Sequence, residues 1–188
     1  VFHMRLKKIS LKQSINAAYK KVRVDKSEIE SYKANLLDLL NKSTVKSDEE
    51  HLKYLLADFL KETWFKGANQ INPIAKNDLV IHLGKLPTDP IGVILEIKSP
   101  KNTVEMVSFE RPNAKALHEL ILYYLRERIE NKNTQLKTLI IANVYEWFIF
   151  DANEFDKRIF SNVSIRKIYD IKISDKKLDS FFYEELSR

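Results

Sequence analysis

With 188 residues, 44% of them apolar and three of them glycine, the chain can build one domain with a proper core, which excludes disordered and collagen-like classes. It has no cysteine, so a disulfide framework and a thiolate metal site are both excluded, as fits a reducing cytoplasm. Its 32 Lys and Arg against 26 Asp and Glu leave a net charge of +6. That balance favours a polyanionic partner, nucleic acid first, although a solvated basic surface reads the same way.

Val1, Phe2 and His3 read as the remnant of a cleaved tag before a natural start at Met4, leaving 4–188 as a single domain. Residues 26–41 place Ile29, Tyr32, Leu36, Leu39 and Leu40 on one helical face. Ser47-Asp48 caps a second helix, 48–64, with Leu52, Leu55, Leu56 and Phe59 in one stripe. Residues 78–83 alternate as a strand. The prolines and glycine of LPTDPIG, 86–92, mark a turn, and IGVILEIK follows as a strand closed by Ser99-Pro100. In 113–131, the clearest helix, Leu117, Leu120, Ile121, Tyr124 and Leu125 form the apolar side. Strands are expected at 136–143, 146–151 and 165–173, and a last helix from 175. No apolar run approaches the roughly 20 residues of a membrane span. The order predicts an α/β fold, a mixed central sheet flanked by helices with an N-terminal helical segment. The ending SFFYEELSR has no helix stop signal, so the domain is expected to be a fragment of a longer chain.

Strand side chains alternate between faces, so Ile94, Glu96 and Lys98 share one side and Val93, Leu95 and Ile97 the other. A hairpin at 86–92 brings Asp78 towards Glu96. Two carboxylates there repel unless a cation lies between them, and Mg²⁺ takes oxygen ligands at about 2.1 Å. Lys98 would then orient or deprotonate a water attacking a phosphodiester. An acid two residues before a lysine also occurs in Glu130-Asn131-Lys132 and Asp175-Lys176-Lys177. The serious rival is Asp170-Ile171-Lys172, with Asp151 upstream, in what reads as a half-exposed strand. The strand around Glu96 is apolar on both faces up to its charged end, as befits a central strand. Spacing alone leaves two readings open, a nuclease site and a salt-bridged strand end.

Asp78 followed by Glu96-Ile97-Lys98 resembles the PD-(D/E)XK motif of restriction-endonuclease-like nucleases, departing from it at Asn77, where the motif has proline. FLKETWF at 59–65, LEIKSPKNTVEM at 95–106, KALHELILYYLRER at 115–128 and LIIANVYEWFIFDA at 139–152 resemble the N-terminal nuclease segment of type IIG restriction–modification enzymes. Those are single chains fusing endonuclease, methyltransferase and target-recognition parts. The resemblance implies a restriction-endonuclease-like sheet and a bacterial, cytoplasmic site-specific deoxyribonuclease. Asp78, Glu96 and the Ile97 carbonyl become ligands of Mg²⁺, for which Mn²⁺ can substitute, and Lys98 the catalytic lysine. The partner implied is double-stranded DNA, with a transient dimer on it for double-strand cutting. The chain has no Asn-Pro-Pro-aromatic motif, only Asn72-Pro73-Ile74. The methyltransferase part with its S-adenosylmethionine, and the target-recognition part, are therefore expected outside this chain. A catalytically silent DNA-binding module and a repair or RNA nuclease are the alternatives.

Lesser candidates surround this set. Glu62, late in the second helix, is a candidate for one more metal carboxylate, weighed against a solvated helix end. His118, Glu119 and Glu105 are candidates for contact with the site or its surround, and His82 for an approach along the Asp78 strand. Lys101, Arg111 and Lys115 are candidates to grip phosphates, against plain surface charge.

Overall fold

The computed structural model describes residues 6–44, 47–74 and 77–188, without the side chains of Asn77 and Asp78. The expected tag remnant lies outside the described residues. A short turn of helix, α1 (Leu11–Ser14), precedes α2 (Lys26–Lys42) and α3 (Glu49–Leu60), which runs on through a wider π turn over Lys61–Phe65. The strands are β1 (Ile71–Ile74), β2 (Asn77–His82), β3 (Ile91–Ile97), β4 (Thr138–Ala142) and β5 (Trp147–Asp151), with α4 (Lys115–Ile129) between β3 and β4. Helices α5 (Ala152–Phe155), α6 (Val163–Ser174) and α7 (Asp179–Ser187) complete the chain, a π turn over Asp156–Phe160 extending α5.

The five strands lie in sequence order. β1–β2, β2–β3 and β4–β5 are antiparallel; β3 and β4 are parallel, as the α4 crossover between them requires. β3 is thus the central strand, which explains why IGVILEI is apolar on both faces. The α/β architecture with a mixed sheet flanked by helices is the one the sequence predicts.

Alternation along β3 divides the core. Leu95 and Ile97 join Leu79, Ile81, Leu52, Leu56 and Phe59 on the α3 side. Ile94 joins Val80, Leu139, Ile141, Leu117, Leu120 and Ile121 on the α4 side, with Tyr169 of α6 and Phe182 of α7 beyond. Each such side chain, fully buried, contributes on the order of 1.5–3 kcal/mol. Charged residues at the end of β3 on the Ile94 face therefore meet α4.

One expectation fails. Residues 165–173 form helix α6 and not a strand. IRKIYDIKI fits an alternating pattern, but Ile165, Tyr169 and Lys172, at helical spacing, are the buried set. The Asn162 side chain also caps the helix by accepting from the Ser164 and Ile165 amides. The rival triplet at Asp170 and Lys172 thereby loses its strand, and Lys172 pairs with Asp179 at 2.8 Å. Edge strand β1 and helix α5 were not anticipated; β1 carries Pro73, which an edge strand tolerates.

Candidate active site

The end of β3 delivers Glu96 and Lys98, both almost wholly buried, to the N-terminal part of α4. Lys98 continues the parallel ladder by donating its amide to the Ala142 carbonyl at 2.9 Å. Its Nζ lies 2.7 Å from Glu96 Oε1 and 2.6 Å from Glu119 Oε2 on α4. Glu49, in the first turn of α3, and Glu105, in the loop after β3, each bring a carboxylate oxygen to 3.8 Å from the same nitrogen. Lys115, opening α4, pairs with Glu105 at 2.8 Å and stands 3.7 Å from Glu119.

Local structure fixes these carboxylates. The Asp48 side chain caps α3 by accepting the His51 amide at 2.8 Å, and an acid at position 49 suits the positive end of the helix. The tip of α3 is tied to the β3 end where Ser99 Oγ donates to the Ser47 carbonyl at 2.8 Å. The Asn102 amide donates to Glu49 at 3.3 Å and to Glu105 at 3.1 Å, bridging helix and loop.

Burial opposes the Lys98 charge, but Glu96 and then Glu119 more than offset it and hold its pKa above the ordinary lysine range. Lys98 is therefore an ammonium at neutral pH and cannot take a proton from water in this arrangement. Partial burial pushes the Glu105 carboxyl up, and the hydrogen bonds from Lys115 and Asn102 outweigh it, leaving the pKa lowered. Tyr183 of α7 packs against the α4-side core. Burial first, then the negative charges of Glu119, Asp179 and Glu96, keep its phenol protonated.

Asp78 lies on β2, and the pairing of Leu79 with Leu95 makes Asp78 and Glu96 the next cross-strand positions. Its side chain lies outside the described residues. Ile97, the last residue of β3, sits between Glu96 and Lys98 with its side chain in the α3-side core.

Other expected residues are placed elsewhere or otherwise engaged. Glu62 is not brought to the site. It is 13 residues beyond Glu49 along one helical run, about 20 Å, and pairs with Lys66 at 2.7 Å. The solvated helix end is what the structure has. The Arg111 guanidinium donates to the Thr103 carbonyl and Lys115 is held by Glu105, so neither projects freely to a phosphate. Lys101 is exposed on the loop. His82 is a structural histidine, its Nδ1 donating to the Asp89 carbonyl at 2.6 Å and its Nε2 meeting the Asn72 amide oxygen at 3.1 Å. His118 is buried and donates from Nε2 to Asn113 Oδ1 at 2.7 Å; burial lowers its pKa to about 4. Glu49 is the site residue the sequence reading passed over.

Four carboxylates against two ammonium groups leave a formal charge of −2 in a partly closed space. Hard carboxylate oxygens with that surplus suit a divalent cation such as Mg²⁺. Among the described residues the carboxylates face the lysines, and no three acidic or histidine side chains already form a metal cage.

The fold and cluster define an α/β domain with an acid–lysine centre at the end of its central strand. The chain belongs to the DUF7149 family, a domain of unknown function, whose sequence profile matches residues 9–188. No curated protein and no solved structure matches the chain. No described helix is long and apolar enough to cross a membrane.

Proposed function

We propose that this domain is the Mg²⁺-dependent DNA endonuclease module of a bacterial, cytoplasmic type IIG restriction–modification enzyme. The observation that carries the reading is the convergence of Glu49, Glu96, Glu105 and Glu119, from four different segments, on the buried ammonium of Lys98. A surplus of buried acid is costly unless a cation compensates it. Glu96 and Asp78, with the Ile97 carbonyl, are the proposed holders, and Glu49 and Glu119 stand close enough to Lys98 to join them. When bound, the ion supplies Lewis-acid stabilisation of a phosphodiester and lowers the pKa of water.

The chain's own groups do the rest. Glu96 and Glu119 would be the carboxylates shared between Lys98 and the ion, and Lys98, an ammonium, would supply positive charge and hydrogen-bond donors to a phosphate oxygen. Glu105 keeps Lys115 at the rim. Tyr183 remains a protonated phenol, able to donate a hydrogen bond. Methyltransferase and target-recognition parts, and a transient dimer on DNA, complete the proposed enzyme.

The specific observation favouring a catalytically silent DNA-binding module is that Lys98 and Lys115 already hold Glu96, Glu105 and Glu119 in short ion pairs. Nicking of supercoiled plasmid with Mg²⁺ or Mn²⁺, against EDTA, separates the readings. Cutting is expected with metal and should fall at least about a hundredfold in Glu96→Gln, with an unchanged far-ultraviolet spectrum. No metal-dependent cutting at enzyme excess overturns the nuclease reading; preferential cutting of RNA replaces its substrate.

A further inference from the structure

The charge of this protein is not spread over it. Residues 5–24 contain seven Lys and Arg and no acid, while residues 25–188 contain 25 Lys and Arg against 26 Asp and Glu. The whole positive excess therefore belongs to one N-terminal arm. Lys7, Lys8, Lys12, Lys20, Lys21 and Arg23 are all exposed. Among the described residues none of these six forms an ion pair, whereas six exposed cations elsewhere are each held by a neighbouring acid: Lys33 by Glu30, Lys42 by Asp38, Lys66 by Glu62, Lys157 and Arg158 by Glu154, Arg188 by Glu185.

We propose that the arm over residues 6–24 is a sequence-independent clamp on the phosphate backbone of double-stranded DNA, delivering it to the carboxylate cluster; the delivery rests on the DNA reading above. The cluster itself cannot attract DNA, since its formal charge is −2, and Arg111 and Lys115 are engaged within the protein. Affinity for a polyanion must come from cations whose release of counterions is still available. The arm is rooted beside the site. Leu6 packs against the α4-side core, and the Lys8 ammonium lies 6.0 Å from the centre of the Phe109 ring. Phe109 follows Glu105 by four residues, a reach of at most about 14 Å.

Six apolar residues, Ile9, Leu11, Ile15, Tyr19, Val22 and Val24, are also exposed on the arm, so an anionic lipid surface is the competing partner. Lying in a bilayer interface takes an amphipathic helix. The arm has only the four-residue α1 and a single 3₁₀ turn over Tyr19–Lys21, with otherwise open backbone that can follow phosphates.

The test is anisotropy of a labelled DNA duplex in EDTA, where nothing is cut, between about 50 and 200 mM salt. The full chain is compared with a variant carrying Gln at positions 7, 8, 12, 20, 21 and 23. A control variant carries Gln in place of Lys33, Lys42, Lys66, Lys157, Arg158 and Arg188, which removes equal charge elsewhere. The wild-type plot of log affinity against log salt should have a slope of up to about −5, collapsing towards zero in the arm variant with a loss of about a hundredfold or more. The control should track the wild type. An arm variant that binds like wild type overturns the proposal, as does an equal loss in both variants, or arm-dependent binding to phosphatidylserine vesicles with none to DNA. Arm-dependent binding without metal-dependent nicking leaves the clamp standing and removes the nuclease. Nicking with unchanged binding in the arm variant does the reverse.

Discussion

Lys98 is a cation at the end of an apolar strand, and its neighbours decide what it can do. Replacing it with methionine removes the ammonium that Glu96 and Glu119 share and takes an ion-pair partner from each. Breaking a buried pair from one side costs about 3–5 kcal/mol. Urea denaturation should show that loss for Lys98→Met at pH 7, and part of it should return in the double variant with Glu119→Gln, which removes one of the stranded charges. If Lys98→Met is as stable as wild type, the cluster is far wetter than its burial indicates. His118 offers an independent pH test. Its folded pKa, near 4, lies below the 6.5 of a free imidazole, so between those values the unfolded chain binds a proton that the folded one refuses. Stability therefore falls as pH drops through that window, by at most about 3 kcal/mol from this group. His118→Gln, which keeps a donor for Asn113, should flatten the stability difference between pH 7 and 4.5 relative to wild type.

Helix α4 is the element that organises the molecule at both ends. Its first turns supply Lys115 and Glu119 to the site. Its last turns anchor the chain that follows: Arg128 donates to Asp156 at 2.9 and 3.0 Å and to the Asn133 and Leu136 carbonyls, and Tyr124 donates to the same aspartate at 2.5 Å. Asp156→Ala takes the acceptor from the Tyr124 phenol and two of the four hydrogen bonds from the Arg128 guanidinium, and thermal unfolding should report a loss of about 1–3 kcal/mol. Elements of this kind could be read from sequence wherever one periodicity dominated. α4 and β3 are long and unambiguous. The 165–173 run was not, because its apolar residues satisfy both period 2 and period 3.6, and only the Asn162 cap and the packing of Tyr169 against Phe182 decide for helix. Glu49 was illegible for a different reason. An acid in the first turn of a capped helix already has a local explanation, and nothing in one dimension says that Ser47 will be pinned to Ser99. Glu62, weighed as a further metal carboxylate against a solvated helix end, lies at the far end of the same helical run, where the rise per residue puts it beyond reach.

At the scale of the whole molecule, the described charges separate into a basic arm and an acid-rich centre, and the two should answer to different ions. Anything that binds only the folded state raises the melting temperature with the logarithm of the ratio of its free concentration to its dissociation constant. A divalent cation at a hundredfold excess adds about 2.7 kcal/mol. For a domain of this length that is a rise of about 5–10 °C. Calcium, a hard cation that takes oxygen ligands, is the ion to use, with sodium chloride matched so that screening of the arm is constant. Differential scanning fluorimetry should show the rise in wild type, its loss in Glu96→Gln and its reduction in Glu49→Gln, because both carboxylates approach Lys98. Glu62→Gln should keep the full rise, since its carboxylate is spent on Lys66. A wild-type chain indifferent to calcium would mean that Lys98 and Lys115 are all the cation this centre needs, and the silent-module reading would then hold.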